Sequence, residues 1–339
     1  MRKNFLWITP EPGTINQGDI IISRALCDIL SIDESWIRIS MHQYHPRYIS
    51  GLFHEAEAAF LMGTNCLPAA WYLPWKIQIK LFSLQTLYAL PSYRHKLVSV
   101  GCGLTSPALN RYGLRSISIS SLFVKTFFSP EFIHSTRDSD SESFLTRHGL
   151  KAINTGCPTM WNLPNTLSCA DDIETIVVSV TDYRINFDRD AKWLIPVLQM
   201  NKRLALFVQG PEDLAYFTNL LAYFERRYSV AKPAFDAIYS LTCLQEFLSG
   251  NSVVHVGTRL HLSAYFWNNS RKSLLVSIDN RASSISKNGK FPIYSPDSFL
   301  DAYCVENLLL DGYVLPAVSQ SIFDSSQFYL QYINTLLLR

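Results

Sequence analysis

Residues 253–261 read Val253-Val254-His255-Val256-Gly257-Thr258-Arg259-Leu260-His261, and this stretch decides the predicted fold. An apolar run that ends on a glycine favours a buried strand followed by a tight turn, and helix-like sequence begins directly after it. In an open parallel α/β sheet, ligands bind beside the carboxyl ends of the strands, where this turn would lie. Arg259 and His261 are therefore predicted at a ligand-binding edge, where a cation and an imidazole suit an anionic ligand that needs a proton.

Apolar runs of this kind recur along the chain, with helix-like segments between many of them. They cover residues 5–9, 59–62, 97–101, 132–136, 176–180, 204–208 and 274–278. Alternation of strands and helices predicts an α/β chain whose parallel sheets are covered by helices.

A polar, non-periodic stretch over residues 162–174 contains a proline and predicts a linker. We expect one Rossmann-like domain over residues 1–165 and another over residues 170–315. The segment 318–339 is amphipathic and predicts a helix that packs back on either domain.

Composition excludes several classes of protein. A chain of 339 residues with 48% hydrophobic and 17% charged residues builds sizeable cores and is not disordered. A net charge of +2 argues against a nucleic-acid partner. The seven cysteines form no Cys-x-x-Cys pair, which favours reduced thiols in a cytoplasmic protein over disulfides or a zinc site. We expect no metal and no cofactor.

Residues 67–90 read LPAAWYLPWKIQIKLFSLQTLYAL, which combines aromatic, basic and apolar side chains. One interpretation is a helix that lies on the inner face of the membrane and gives peripheral association. The other, commoner in globular proteins, is a core-facing helix with a few exposed lysines. A membrane-spanning helix is not expected, because no apolar run reaches roughly 18 residues.

Further candidate ligand contacts follow other predicted strands. Arg137 ends one strand and opens a helix, where it binds a carboxylate or phosphate, or else forms a salt bridge with Asp138 or Asp140. Arg281 follows the strand after Arg259 and adds another cation. The alternatives are that Arg259 is an ordinary arginine at a helix N-terminus and that His261 is a structural histidine that faces the core.

Glycine-bearing turns follow the early strands. The first turn carries Asn16, Gly18 and Asp19, where glycine permits close approach of a ligand and Asp19 caps the next helix. The second carries Gly63 and Thr64. Ordinary turn chemistry explains each of these turns equally well when it is taken alone.

In their order along the chain, these elements resemble the motifs of the polysaccharide pyruvyl transferase family. The first turn resembles the family's N-x-G-D element, and Gly63 its glycine turn. The later elements are Arg137-Asp138-Ser139-Asp140-Ser141 for R-D-x-x-S, Gly156-Cys157-Pro158 for G-D-P, Gly257-Thr258-Arg259-Leu260-His261 for G-x-R-x-H, and Asp279-Asn280-Arg281 for D-x-K. The resemblance covers about residues 4–285. Cys157, Arg281 and the Gly63 turn depart from it, since Thr64 and Asn65 stand where the family usually has more glycine.

The resemblance implies two Rossmann-like domains arranged as in GT-B glycosyltransferases, with a cleft between them. It implies transfer of a group from phosphoenolpyruvate to form a pyruvate ketal on a sugar of a surface polysaccharide or its precursor. The acceptor is then a sugar or a lipid-linked oligosaccharide. His261 would act as the acid, and the substrate-binding residues would be Arg137, Arg259, Arg281, Asn16, Gly18, Asp19, Gly63 and Thr64.

Two alternatives stay open at this point. One is a GT-B-like glycosyltransferase that uses a sugar nucleotide, since cations at the same edge would bind a diphosphate. The other is a non-catalytic member of a polysaccharide pathway.

Overall fold

The computed structural model describes residues 5–11, 13–32, 37–40, 46–63, 67, 94–104, 124–166, 172–249 and 252–337. Its contacts divide the chain into two compact units. The N-terminal unit comprises Met1–Thr14, Ile22–Trp161 and Gln320–Arg339, and the C-terminal unit comprises Ile15–Ile21 and Asn162–Ser319.

The N-terminal unit is built on parallel strands. Its main sheet has the order β2-β1-β3-β4, and two further parallel strands, β5 and β6, follow it. The elements are β1 (Phe5–Thr9), α1 (Gln17–Ile29, of which residues 22–29 belong to this unit), β2 (Ile37–Ser40), α2 (Pro46–Glu55), β3 (Ala58–Met62), β4 (Leu97–Val100), β5 (His134–Thr136), α3 (Ser139–Arg147) and β6 (Ala152–Asn154). This order resembles the start of the doubly wound 2-1-3-4-5 arrangement.

The C-terminal unit is built on a parallel sheet of six strands, and two further short strands, β12 and β14, form an antiparallel pair. Its elements are β7 (Thr175–Ser179), α4 (Phe187–Gln199), β8 (Arg203–Phe207), α5 (Asp213–Tyr228), β9 (Asp236–Ile238), α6 (Leu241–Ser249), β10 (Val253–Gly257), α7 (Leu260–Asn268), β11 (Ser273–Val276), α8 (Asn280–Ser286), β12 (Gly289–Lys290), β13 (Ile293–Tyr294), α9 (Ala302–Leu309) and β14 (Ala317–Val318). The sheet order is β9-β8-β7-β10-β11-β13. Counted from β7, this is the 3-2-1-4-5-6 order of the Rossmann fold.

Side chains alternate across this sheet because successive residues of a strand point to opposite faces. Val178 and Leu206 pack on one face with Trp193 of α4 and Phe217 of α5. The neighbouring strand residues, such as Val177 and Phe207, pack on the other face with α6 and α7. Both faces are therefore buried, as the continuous apolar runs predict.

The last helix, α10 (Gln320–Leu337), belongs to the N-terminal unit. Tyr329 and Ile333 lie in a core that also contains Trp7 and Trp161. The Tyr329 hydroxyl donates to the Ser99 carbonyl at 3.0 Å. The structure thus places the amphipathic tail on the first unit, a choice that the sequence pattern left open.

All eight apolar runs form strands, and the predicted class, an α/β chain with two Rossmann-like units, is confirmed. Short strands were missed: β2 has two exposed positions, and β9 begins on an aspartate. Of the segment 67–90, only Leu67 lies within the described residues. No helix of the described chain is long and apolar enough to cross a membrane.

Candidate functional site

The strand order of the C-terminal sheet reverses between β7 and β10, which makes the carboxyl ends of these strands the topological switch point. Ser179 and Gly257 are paired there. A Cβ atom on Gly257 would lie 2.4 Å from the Ser179 carbonyl oxygen. Glycine is required at this position because the neighbouring backbone occupies the space.

Hydrogen bonds join the two chain segments that leave the sheet at this point. The Thr258 N–H donates to the Ser179 carbonyl at 2.9 Å, and the hydroxyls of Thr181 and Thr258 lie 2.8 Å apart. The turn after β10 and the loop after β7 are therefore held side by side.

Arg259 forms hydrogen bonds with the segments that follow β7 and β8 and is only 5% exposed. Its Nε donates to the Val180 carbonyl at 2.7 Å, and its Nη2 donates to Asp182 at 2.8 Å and to Asp213. The sequence predicts that this guanidinium binds an anionic ligand. In the structure it already pairs with two carboxylates, so ligand binding there stays a prediction.

Asp213 is the buried partner of this arginine. Its Oδ2 accepts the backbone N–H groups of Gln209 and Gly210, at 3.1 and 2.9 Å. Burial raises the pKa of the Asp213 carboxyl, whereas the Arg259 guanidinium and the Gly210 N–H favour its charged form and oppose that rise. Asp213 thus fixes the loop after β8 against Arg259.

Arg281 lies in the first turn of α8, where Asp279 caps the helix and accepts from the Arg281 N–H at 2.9 Å. The Arg281 guanidinium pairs with Asp279 at 2.8 and 2.6 Å and donates to the Tyr183 hydroxyl. The guanidinium carbons of Arg259 and Arg281 lie 5.2 and 5.5 Å from the Tyr183 ring centroid. Tyr183 therefore connects the two arginines.

We name these residues the switch-point cluster: Asp182, Tyr183, Asp213, Arg259, Asp279 and Arg281. The cluster joins segments that follow β7, β8, β10 and β11. It holds two guanidinium groups and three carboxyl groups.

The first glycine turn belongs to the same unit. Gln17 donates its N–H to the Gln209 carbonyl at 2.9 Å, and the Asn16 Oδ1 accepts from the Gly18 N–H and from the Gln209 amide at 3.0 and 3.3 Å. A Cβ atom on Gly18 would lie 2.6 Å from that amide nitrogen. Asn16, rather than Asp19, therefore caps α1, while Asp19 lies within its first turn.

His261 is half-buried in the first turn of α7, two residues after Arg259. Its role as an acid stays a prediction. The nearby His255 is fully buried and lies 2.9 and 2.8 Å from the hydroxyls of Ser179 and Ser273. Burial lowers the pKa of His255 to about 3, so this imidazole is a neutral structural group near pH 7.

Arg137 lies in the N-terminal unit and is also buried. Its Nε is 3.5 Å from Asp138, which is the salt bridge that the sequence offered as one alternative. A Cβ atom on Gly103 would lie 2.5 Å from the Arg137 Nε, so the absence of a side chain there makes room for the guanidinium.

Asp138 and Ser141 have a structural role in this element. The Asp138 Oδ1 accepts from the Ser141 N–H and hydroxyl at 2.8 and 2.7 Å, which caps α3. The Ser141 hydroxyl oxygen accepts the Leu104 N–H at 3.0 Å. Asp138 and Ser141 therefore cap α3 and attach the preceding loop, and Arg137 stays the candidate ligand contact of this element.

Gly63 directly follows β3 with a positive φ of 60°, and a Cβ atom there would lie 2.2 Å from the side chain of Ile22. Turn geometry and packing explain this glycine. Thr64 lies outside the described residues. Within the ranges that the structure describes, no group of three or more His, Cys, Asp or Glu residues is arranged to hold a metal ion.

Sequence reasoning missed Asp182, Tyr183, Gln209 and Asp213. Each follows a predicted strand, β7 or β8, so its position at the carboxyl end of that strand could have identified it as a candidate ligand contact. None belongs to a motif, and their pairing with Arg259 depends on the order of strands in the sheet.

No protein-family model and no curated protein matches this chain. The fold is similar to that of UDP-GlcNAc 2-epimerase from Methanocaldococcus jannaschii, with a TM-score of 0.51, 11% identity, and coverage of 98% of this chain and 99% of that one. It is less similar to UDP-GlcNAc 2-epimerase from Neisseria meningitidis, with a TM-score of 0.48, 9% identity, and coverage of 98% and 99%. For the wall teichoic acid polymerase TagF these values are 0.46, 11%, 100% and 89%. At such identities the likeness shows the fold alone.

Proposed function

We propose that this chain is a transferase that acts on a sugar and takes the transferred group from a nucleotide sugar. One observation carries the proposal: the C-terminal sheet has the Rossmann strand order, and the switch-point cluster lies at its point of reversal. Open α/β sheets bind nucleotides in the crevice at that point. A solved protein of similar fold is named for a nucleotide sugar, UDP-GlcNAc, and the proposal extends that class of ligand to this chain.

The side chains of the switch-point cluster carry no net positive charge, so the diphosphate of the donor would be bound chiefly by backbone N–H groups. Arg259 and Arg281 are each paired with carboxylates, so the two guanidinium groups offer little net positive charge. A nucleotide sugar carries a diphosphate between two rings, and the amino terminus of α7 begins at this edge. A helix amino terminus favours a diphosphate because its first N–H groups carry partial positive charge.

Pyruvyl transfer from phosphoenolpyruvate is the second candidate. It is favoured by His261, half-buried in the first turn of α7 and two residues from Arg259, as in the motif that the sequence resembles. Ketal formation needs a proton on the methylene carbon of the enol, attack by a sugar hydroxyl on the resulting cationic carbon, loss of phosphate and closure by a second hydroxyl. His261 would supply the proton.

Binding measurements separate the two donors. We expect UDP-sugars or CDP-glycerol to raise the melting temperature and to give saturable heats in titration calorimetry, whereas phosphoenolpyruvate gives neither. Arg281→Ala should weaken nucleotide binding roughly 10-fold, since it removes one charge-assisted contact. The matched control is Arg203→Ala, because Arg203 pairs with Asp236 in a similar way but lies at the start of β8, far along the strand from its carboxyl end.

Binding of phosphoenolpyruvate alone would move the proposal to pyruvyl transfer. His261→Ala should then lower turnover roughly 10²- to 10⁴-fold, with a much smaller effect on donor affinity, because a proton donor acts chiefly in the transition state. Binding of neither donor by the folded wild type would contradict both candidates.

A further inference from the structure

The switch-point cluster presents an exposed aromatic ring. Tyr183 is 55% exposed, and Ile185, two residues later, is 69% exposed. Large apolar side chains at a ligand-binding edge stay in water until a ligand covers them. The part of the site that Tyr183 and Ile185 present is therefore suited to an apolar surface of the ligand rather than to its phosphates.

The loop that carries Tyr183 is anchored by side chains of α4 and α5. The Arg189 Nη2 donates to the Arg184 carbonyl at 2.8 Å, and the Asn186 N–H donates to the Tyr216 hydroxyl at 3.1 Å. Asp190 accepts from both anchoring side chains, Arg189 and Tyr216. Because the loop is ordered before binding, contact with its ring costs little conformational entropy.

The contacts of the ring leave part of its surface accessible. The guanidinium carbons of Arg259 and Arg281 lie over the Tyr183 ring, 5.2 and 5.5 Å from its centroid, and Tyr183 is 55% exposed beside them. Asp182 and Asp279 pair with the two arginines and are less suited to accept sugar hydroxyls. The exposed part of a phenol ring and the guanidinium groups packed on it are surfaces on which a flat aromatic ligand can stack.

We propose that Tyr183 is a specificity-determining contact of this protein and stacks on the nucleobase of the donor. This inference rests on the proposed function, since only a nucleotide donor carries a base. The arginines hold the ring in position, and the ring selects a donor with a planar aromatic group over a simple phosphate compound.

The test compares two probes, UDP and inorganic pyrophosphate, by titration calorimetry on the full chain. Tyr183→Ala should weaken UDP binding roughly 5- to 100-fold, as loss of one base–aromatic contact does. Its pyrophosphate affinity should stay within about twofold, because pyrophosphate has no base. Tyr183→Phe keeps the ring and should retain UDP affinity within about threefold.

Tyr303→Ala is the matched control, because Tyr303 is an exposed tyrosine of the same unit on α9, outside the cluster. It should bind both probes as the wild type does. An equal loss of both probes in Tyr183→Ala would overturn stacking, since Tyr183 would then only position the arginines. Unchanged UDP binding in Tyr183→Ala would overturn the inference alone. A wild type that binds no nucleotide would overturn the proposed function together with it.

Discussion

Removal of the Arg259 side chain should destabilise the C-terminal unit in a pH-dependent way. Arg259→Ala leaves the fully buried Asp213 carboxylate without its cation, although the Gln209 and Gly210 N–H groups remain. Removing one partner of a buried ion pair costs about 3–5 kcal/mol. For a unit of this size, the melting temperature should fall by roughly 6–20 °C.

The pH dependence follows from the pKa of Asp213. Burial already raises this pKa above the ordinary value of 3.8, and loss of the opposing guanidinium raises it further. A carboxyl whose folded pKa is raised stabilises the fold while it is protonated and loses that contribution as the pH increases through the folded pKa. The loss of stability in Arg259→Ala should therefore be smaller at pH 5 than at pH 8.

Thermal unfolding of four proteins measures this effect: wild type, Arg259→Ala, Asp213→Asn and the double variant. Trp193 and Trp267 are fully buried in the C-terminal unit and report its unfolding by fluorescence. Asp213→Asn added to Arg259→Ala should restore part of the stability, and it should remove the pH dependence of the loss that Arg259→Ala causes, because an amide carries no charge. A cost below about 1 kcal/mol that is equal at both pH values would refute a structural role for the pair.

Two further outcomes are expected. Gly257→Ala should lower the free energy of unfolding by about 1–3 kcal/mol, because its Cβ would lie 2.4 Å from the Ser179 backbone. Gly51→Ala, where a Cβ would have no atom within 4 Å, should instead raise stability by about 0.5–1 kcal/mol. Shifts of the same sign and size in the two variants, measured by thermal unfolding, would contradict the packing argument. Burial lowers the pKa values of His255 and His134 to about 3 and about 4, so urea denaturation should show the free energy of unfolding falling as the pH decreases below 6.5. The slope of that free energy against pH approaches about 1.4 kcal/mol per pH unit for each histidine. His255→Asn should reduce this slope, and an unchanged slope would exclude His255 as its source.

The local sequence determined the secondary elements that matter most. The stretch 253–261 predicts a strand ending on Gly257, and β10 has those bounds, because a continuous apolar run followed by glycine is a local signal. The same reasoning located Arg259 and His261 at the carboxyl end of that strand. It also predicted the α/β class, since strand and helix periods alternate along the chain.

Tertiary structure alone decided what surrounds Arg259. Its two carboxylate partners, Asp182 and Asp213, are 77 and 46 residues away along the chain and follow different strands. They meet because β7 lies between β8 and β10, an order that depends on how whole strand–helix units pack and that no local pattern encodes. The same packing converts an arginine predicted as a free anion contact into the centre of a buried ion-pair network.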